Sequence, residues 1–235
     1  PPELGLPEAR TDAALVAAGL ETLLVGGTAD AGADAAPVAT VYATTIRQDG
    51  NIDGWREAAP LPAARRGASA VFFAGTAYVI GGRDADGNPT TTVYAGTPDP
   101  ESGRVEAWEA SAGLVLPEGR ADAAAVVSGE GVFLVGGQNA NGPVATVWRA
   151  AINAQGALEP WAPNAGLPAP RADAAAAIIG SHVFVWGGED ANGPTAEVLR
   201  GEIAAEGEEI GSVSGWFIAA EGAVPAKSSG PCSAA

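Results

Sequence analysis

The stretch VFVWGGEDANG, residues 183–193, runs an apolar strand-like segment into a double glycine and then into an Asn-Gly turn. Three readings compete for it: a phosphate-binding loop, a calcium loop, or one copy of a repeated unit. A phosphate loop needs Gly-x4-Gly-Lys-Ser/Thr leading into a helix, and here acidic residues and another strand signal follow. The rest of the chain decides for repetition.

Aligning the double glycines gives four copies: LLVGG at 23–27, YVIGG at 78–82, FLVGG at 133–137 and FVWGG at 184–188, spaced by 55, 55 and 51 residues. Ahead of each stands a Leu-Pro and arginine signal: LPEAR (6–10), LPAAR (61–65), LPEGR (116–120) and LPAPR (167–171). After each come a second strand signal (VYATTI, VYAGT, VWRAAI, VLRGEI) and then a tryptophan: Trp55, Trp108, Trp161 and Trp216. Four features in one fixed order define a structural repeat.

Each unit predicts four short strands. The first is the small-residue run after the arginine, such as DAAAVV (122–127), whose alanines let strands crowd near an axis. The second ends in the glycine pair: Gly26 and Gly27, Gly81 and Gly82, Gly136 and Gly137, Gly187 and Gly188. Glycine there permits positive φ and close approach of a neighbouring unit. The third follows the turn signals Gly87-Asn88, Asn141-Gly142 and Asn192-Gly193. The fourth carries the tryptophan as an anchor between units. Short strands, frequent turns and a period near 50 predict an all-β propeller with one four-stranded sheet per repeat. Expected blades are 6–60, 61–115, 116–166 and 167–223, about 51–57 residues each, within a single domain spanning 1–235.

The order R…AA…(apolar)3-GG…V(Y/W)…G…W resembles kelch repeats, in the bacterial form whose blades open with LPxxR, and it covers roughly 6–220. The resemblance implies the propeller fold and a ring of five to seven blades. It does not imply one function, since such propellers serve many. Two departures stand out. The third-strand aromatic of Tyr42, Tyr94 and Trp148 becomes Leu199 in the last unit, and Arg65-Arg66-Gly67 replaces the Arg-x-Asp of the other three. Residues 224–235 (VPAKSSGPCSAA) resemble a degraded start of a fifth unit, and 4–7 (LGLP) the end of a preceding one. A four-bladed ring and a part of a larger ring both fit.

Composition narrows the partners. A formal net charge of -16 argues against nucleic acid and anionic membrane, which both require a basic surface. There is no run of about 18 apolar residues, so no membrane span is expected in this chain. A single cysteine, Cys232, excludes an internal disulfide framework and a cysteine-based zinc site. The chain has no Met and starts Pro1-Pro2-Glu3, which leads us to expect a processed polypeptide, freed of a signal peptide or cut from a longer parent. Scarce Lys and Cys lead us to expect an extracytoplasmic setting.

Candidate sites follow from residue chemistry. Asp84, Asp86 and Asn88 place oxygens at alternate positions, as calcium loops do, but their counterparts around Asn139 and Asp190 lack the distal glutamate, and a hairpin turn explains them. Arg10, Arg65, Arg120 and Arg171 could ring a channel mouth; their repetition favours architecture, by binding carbonyls, pairing with Asp12, Asp122 or Asp173, or stacking on a blade tryptophan. His182 is the only histidine, too few for the copper site implied by galactose oxidase-like kelch enzymes or for a two-histidine zinc site. The aspartates begin innermost strands, where carboxylate chemistry on sugars would need them to converge. Glu206, Glu208 and Glu209 sit in an acidic connecting loop.

The expected function is a non-catalytic interaction module. It has no cofactor and no metal, and its loops bind a protein, with a glycan as the other partner class. The alternative is a sugar-processing enzyme of the kelch epimerase or lyase kind, with axial Arg and Asp residues. A calcium-dependent adhesion module comes third. Basic or neutral partner surfaces suit the acidic non-repeating loops at 28–38, 83–90, 97–106 and 204–214, where Asp84, Asp86, Asn88, Glu206, Glu208 and Glu209 are the candidate contacts.

Overall fold

Runs of small and apolar residues after each arginine build the innermost strands, and the rest of each sheet is laid outward from them in sequence order. The computed structural model describes residues 4–30, 35–205 and 210–219. The first sheet holds β1 (Ala14–Ala18), β2 (Glu21–Val25), β3 (Val41–Thr45) and β4 (Arg56–Ala58) in that order. The second holds β5 (Ser69–Phe73), β6 (Thr76–Ile80), β7 (Val93–Gly96) and β8 (Glu109–Ala110).

In the third, β9 (Ala124–Ser128) and β10 (Gly131–Val135) are followed by a two-stranded ribbon of β11 (Gln138–Asn139) and β12 (Gly142–Pro143) before β13 (Val147–Ala151) and β14 (Ala162–Asn164) complete the sheet. The fourth repeats this plan with β15 (Ala175–Ile179), β16 (His182–Trp186), the ribbon β17 (Glu189–Asp190) and β18 (Gly193–Pro194), then β19 (Val198–Ile203) and β20 (Val213–Ile218). The Asn-Gly turns therefore close small ribbons on the blade's end rather than joining second to third strand directly, as the sequence predicts. All pairings within the four sheets are antiparallel.

Four such sheets are the blades of a β-propeller. β1 packs on β5, β5 on β9 and β9 on β15. No packing of that extent joins β15 to β1 among the described residues. The core is accordingly three apolar layers, one per blade junction. Leu23, Val25 and Val41 of the first blade meet Val79, Tyr94 and Trp108 of the second. Val132, Leu134 and Trp161 close the next junction, and Val183, Val185 and Trp216 the last.

The glycine pair explains how blades come so close. The N–H of Gly27, Gly82 and Gly137 donates to the carbonyl of Arg65, Arg120 and Arg171 at 2.8, 2.8 and 2.6 Å. A Cβ on Gly26, Gly81 or Gly136 would fall inside contact distance of those same carbonyl oxygens, and the backbone there has φ of 59 to 64°. A side chain at these points would push the blades apart. The tryptophans on or just before the fourth strands bind the junctions from the rim. Trp108, Trp161 and Trp216 donate their indole N–H to the carbonyls of Ala59, Leu114 and Ala165 at 3.0, 2.9 and 2.7 Å. Each such bond contributes about 1 kcal/mol beyond the ring's burial.

Candidate functional site

The residues that open each innermost strand converge at the axis. Asp12, Asp122 and Asp173 have φ of 52, 54 and 52°, a left-handed conformation that aspartate tolerates better than most residues. In the second blade Gly67 takes this place with φ of 59°. A run of backbone hydrogen bonds ties them together. Gly67 N–H donates to Asp12 O at 2.8 Å, Asp122 N–H to Gly67 O at 2.7 Å, and Asp173 N–H to Asp122 O at 2.9 Å. With the alanines that follow them, these four residues line an open cavity of about 210 Å³.

Charge in this mouth is negative and crowded. Reduced solvation, then repulsion from Asp122, Glu189 and Asp12, pushes the Asp173 carboxyl up to about 6. Burial likewise raises Asp122, opposed by the guanidinium of Arg83. Arg83 comes from the second blade, immediately after its glycine pair. Its Nη2 donates to Asp122 Oδ2 at 3.0 Å and to Gln138 Oε1 at 2.8 Å, both on the third blade. Arg83 and Gln138 were not among the candidate residues read from the sequence. The signal for Arg83 was present, because the blade that loses its axial aspartate at Gly67 gains an arginine at the position held elsewhere by Thr28, Gln138 and Glu189.

The four LPxxR arginines do not enter the mouth. Arg10 lies over the Tyr42 ring and bonds Glu8, Ala9 O and the Tyr42 hydroxyl. Arg65 lies over Tyr94, and Arg120 over Trp148 with its guanidinium 4.1 Å from the ring centroid. Arg171, facing Leu199 instead of an aromatic, bonds the Glu197 carboxylate and Pro170 O. All four are buried side chains. None of them pairs with the aspartate two residues on, and the three rings are those of the third strand, not the blade tryptophans. The reason is local. The positive φ at Asp12, Asp122 and Asp173 turns the chain there, and the arginine already has its partners outside the mouth.

The predicted loop residues are placed as follows. Asp84 Oδ1 accepts the backbone N–H of Asp86 at 3.0 Å and of Asn88 at 2.9 Å, so this carboxylate builds its own turn. Asp84, Ala85, Asp86 and Gly87 line a cavity of about 180 Å³ with residues 35–37 and Arg66. Glu206, Glu208 and Glu209 lie outside the described residues, as does Cys232. His182 sits on β16, partly exposed beside Phe184, away from the aspartates. Trp55, alone among the four tryptophans that close the repeats, makes no indole hydrogen bond among the described residues and lines a cavity of about 430 Å³ with Glu21, Arg56 and Arg104.

The model of the Kelch motif matches residues 64–95. Over this segment the chain is similar to a kelch repeat. It spans the start of the second blade from Ala64, through Gly67 and the glycine pair, to the third strand, so it contains both the blade's axial residue and Arg83. The other three kelch-like blades share its strand order. No curated protein matches the chain. Kelch motifs generally mediate protein interactions. No helix among the described residues is long and apolar enough to cross a membrane.

Proposed function

We propose that this chain is a non-catalytic binding module that receives a basic segment of a protein partner over its acidic axial mouth. The observation that carries this reading is the convergence of Asp12, Asp122 and Asp173 on one open cavity while the four LPxxR arginines are held elsewhere. A sugar-processing centre of the kelch epimerase kind would need those arginines free to meet an anionic substrate. The mouth offers carboxylates, which suit lysine and arginine side chains. The turn at 84–88 extends the acidic surface beside it, with Asp86 as its outward contact and Asp84 as the residue that shapes it. We also propose an extracytoplasmic setting, on the scarcity of Lys and Cys.

The test is calorimetric titration with a short Lys/Arg-rich peptide and an acidic peptide of equal length. Binding of the basic peptide should weaken as salt rises and fall at least tenfold in the Asp122→Asn, Asp173→Asn double variant. Asp86→Ala should weaken it with little change in melting temperature. Equal binding of both peptides, or an unchanged affinity in the double variant, overturns the proposal.

A further inference from the structure

The axial mouth is built from the same three positions in every blade, and their charges are unequal. The residue ahead of each axial residue bridges the residue that follows the glycine pair: Thr11 to Thr28, Arg66 to Arg83, Ala121 to Gln138 and Ala172 to Glu189. Between the members of each pair stands the axial residue, Asp12, Gly67, Asp122 or Asp173. The first and third blades therefore bring one carboxylate each to these positions, the second brings two guanidinium groups and the fourth two carboxylates.

The cations of the second blade are directed at its two neighbours. Arg83 Nη2 donates to Asp122 Oδ2 at 3.0 Å, and Arg66 Nη1 stands 3.9 Å from Asp12 Oδ2. Two arginines thus offset the carboxylates of the first and third blades. The excess negative charge of the mouth falls on the fourth blade, at Asp173 and Glu189. Backbone geometry keeps these two together, because Ala172 and Glu189 exchange hydrogen bonds at 2.9 and 2.8 Å and Ala172 immediately precedes Asp173. Asp173 is also exposed at the cavity, whereas the Asp122 side chain is only 16% exposed.

The charged groups around Asp173 come from all four blades. Asp122 ahead of β9, Glu189 on β17 and Asp12 ahead of β1 repel its charge, and Arg83 after β6 opposes them. Arg66, ahead of β5, faces Asp12. Arg171, two residues upstream, is held by Glu197 and by Asp190 at 4.0 Å. Reduced solvation and the repulsion push the Asp173 carboxyl up to about 6. A cation from a partner would supply the countercharge that the fourth blade lacks and would hold this carboxyl ionised.

Resting on the reading of the mouth as a site for a basic segment, we infer that Asp173, with Glu189 beside it, is the seat for one cationic side chain of the partner, and that protonation of Asp173 releases it. Arg83 and Arg66 act as built-in competitors that confine the partner's cation to the fourth blade.

Calorimetric titration with an acetylated Lys/Arg-rich peptide that lacks histidine tests this, since such a peptide keeps its charge between about pH 5 and pH 7.5. Affinity for the unaltered protein should fall roughly tenfold from about pH 7.5 to about pH 5, the ratio set by a carboxyl that titrates at about 6. Asp173→Asn should weaken binding at about pH 7.5 by about fivefold or more and leave less than about a twofold change across the range. Glu189→Gln puts in the fourth blade the residue type that the third has at Gln138. It should weaken binding at about pH 7.5 by about threefold or more without lowering the melting temperature. Binding that is equally strong at both pH values, a pH dependence that survives Asp173→Asn, or an unchanged affinity in Glu189→Gln overturns the seat while leaving the acidic mouth as the binding site. No binding of the peptide by the unaltered protein at about pH 7.5 overturns both.

Discussion

Arg83 Nη2 stands 3.0 Å from Asp122 Oδ2, so a side chain from the second blade neutralises a carboxylate that the third blade places in the axial mouth. The same guanidinium nitrogen bonds Gln138 at 2.8 Å. It thereby fastens two elements of the third blade to the second at the point where the blades are closest to the axis.

Arg83→Gln should therefore destabilise the fold by roughly 1–3 kcal/mol, since it leaves a largely enclosed Asp122 among like charges. Urea unfolding followed by tryptophan fluorescence measures this. Arg104→Gln is the control, because Arg104 is half-exposed and 3.8 Å from Glu21. It should change stability by less than about 0.5 kcal/mol. Equal effects of the two would contradict a special role for Arg83.

Gly67→Asp restores to the second blade the residue found in the other three. Positive φ alone does not forbid it, for Asp12, Asp122 and Asp173 accept nearly the same backbone angle. The obstacle is Asp122, whose Oδ1 occupies the space a Cβ on Gly67 would need. The substitution should cost roughly 2 kcal/mol or more through displacement of Asp122 and added charge in the mouth. Asp122→Ala in the same chain should recover much of it. A double-mutant cycle reads the coupling between the two positions, and additive effects would reject this cause.

The pH dependence has a definite sign. Asp173 holds its proton up to about 6 in the folded protein against a usual carboxylate value of 3.8. The folded state thus binds more protons than the unfolded chain between those values. This contribution to stability is complete below the unfolded value and is lost as pH rises through about 6. Asp173→Asn should raise the melting temperature near pH 7.5 and flatten its change between about pH 5 and pH 7.5. Thermal melts across that range, in the wild type and the variant, are the check.

What the sequence made legible was the part fixed by local geometry repeated four times. Glycine pairs reported a backbone packed closely against a neighbouring unit, and the alanine-rich strands reported crowding at the axis. Arginine partners were less legible, because Arg10 and Arg65 find their rings on Tyr42 and Tyr94, some thirty residues downstream on the third strand. The separate ribbons at Asn141-Gly142 and Asn192-Gly193 were hidden for another reason. An Asn-Gly turn marks a hairpin without saying which strands it joins. Convergence of the aspartates depended on inter-blade bonds such as Asp122 N–H to Gly67 O, which no single repeat contains.

Trp161 and Trp55 occupy equivalent places in the repeat but unequal surroundings. Trp161 is buried among Leu114, Leu116 and Trp148, and its N–H donates to Leu114 O at 2.9 Å. Trp55 is half-buried beside an open cavity and has no such bond among the described residues. Trp161→Phe removes a buried donor and part of a packed ring, so it should cost about 1–3 kcal/mol. Trp55→Phe should cost less than about 1 kcal/mol, because solvent already reaches that ring. Chemical denaturation of the two variants distinguishes them. If Trp55→Phe proved as costly as Trp161→Phe, the first blade would have to be closed at its rim in solution, in the way the other three are.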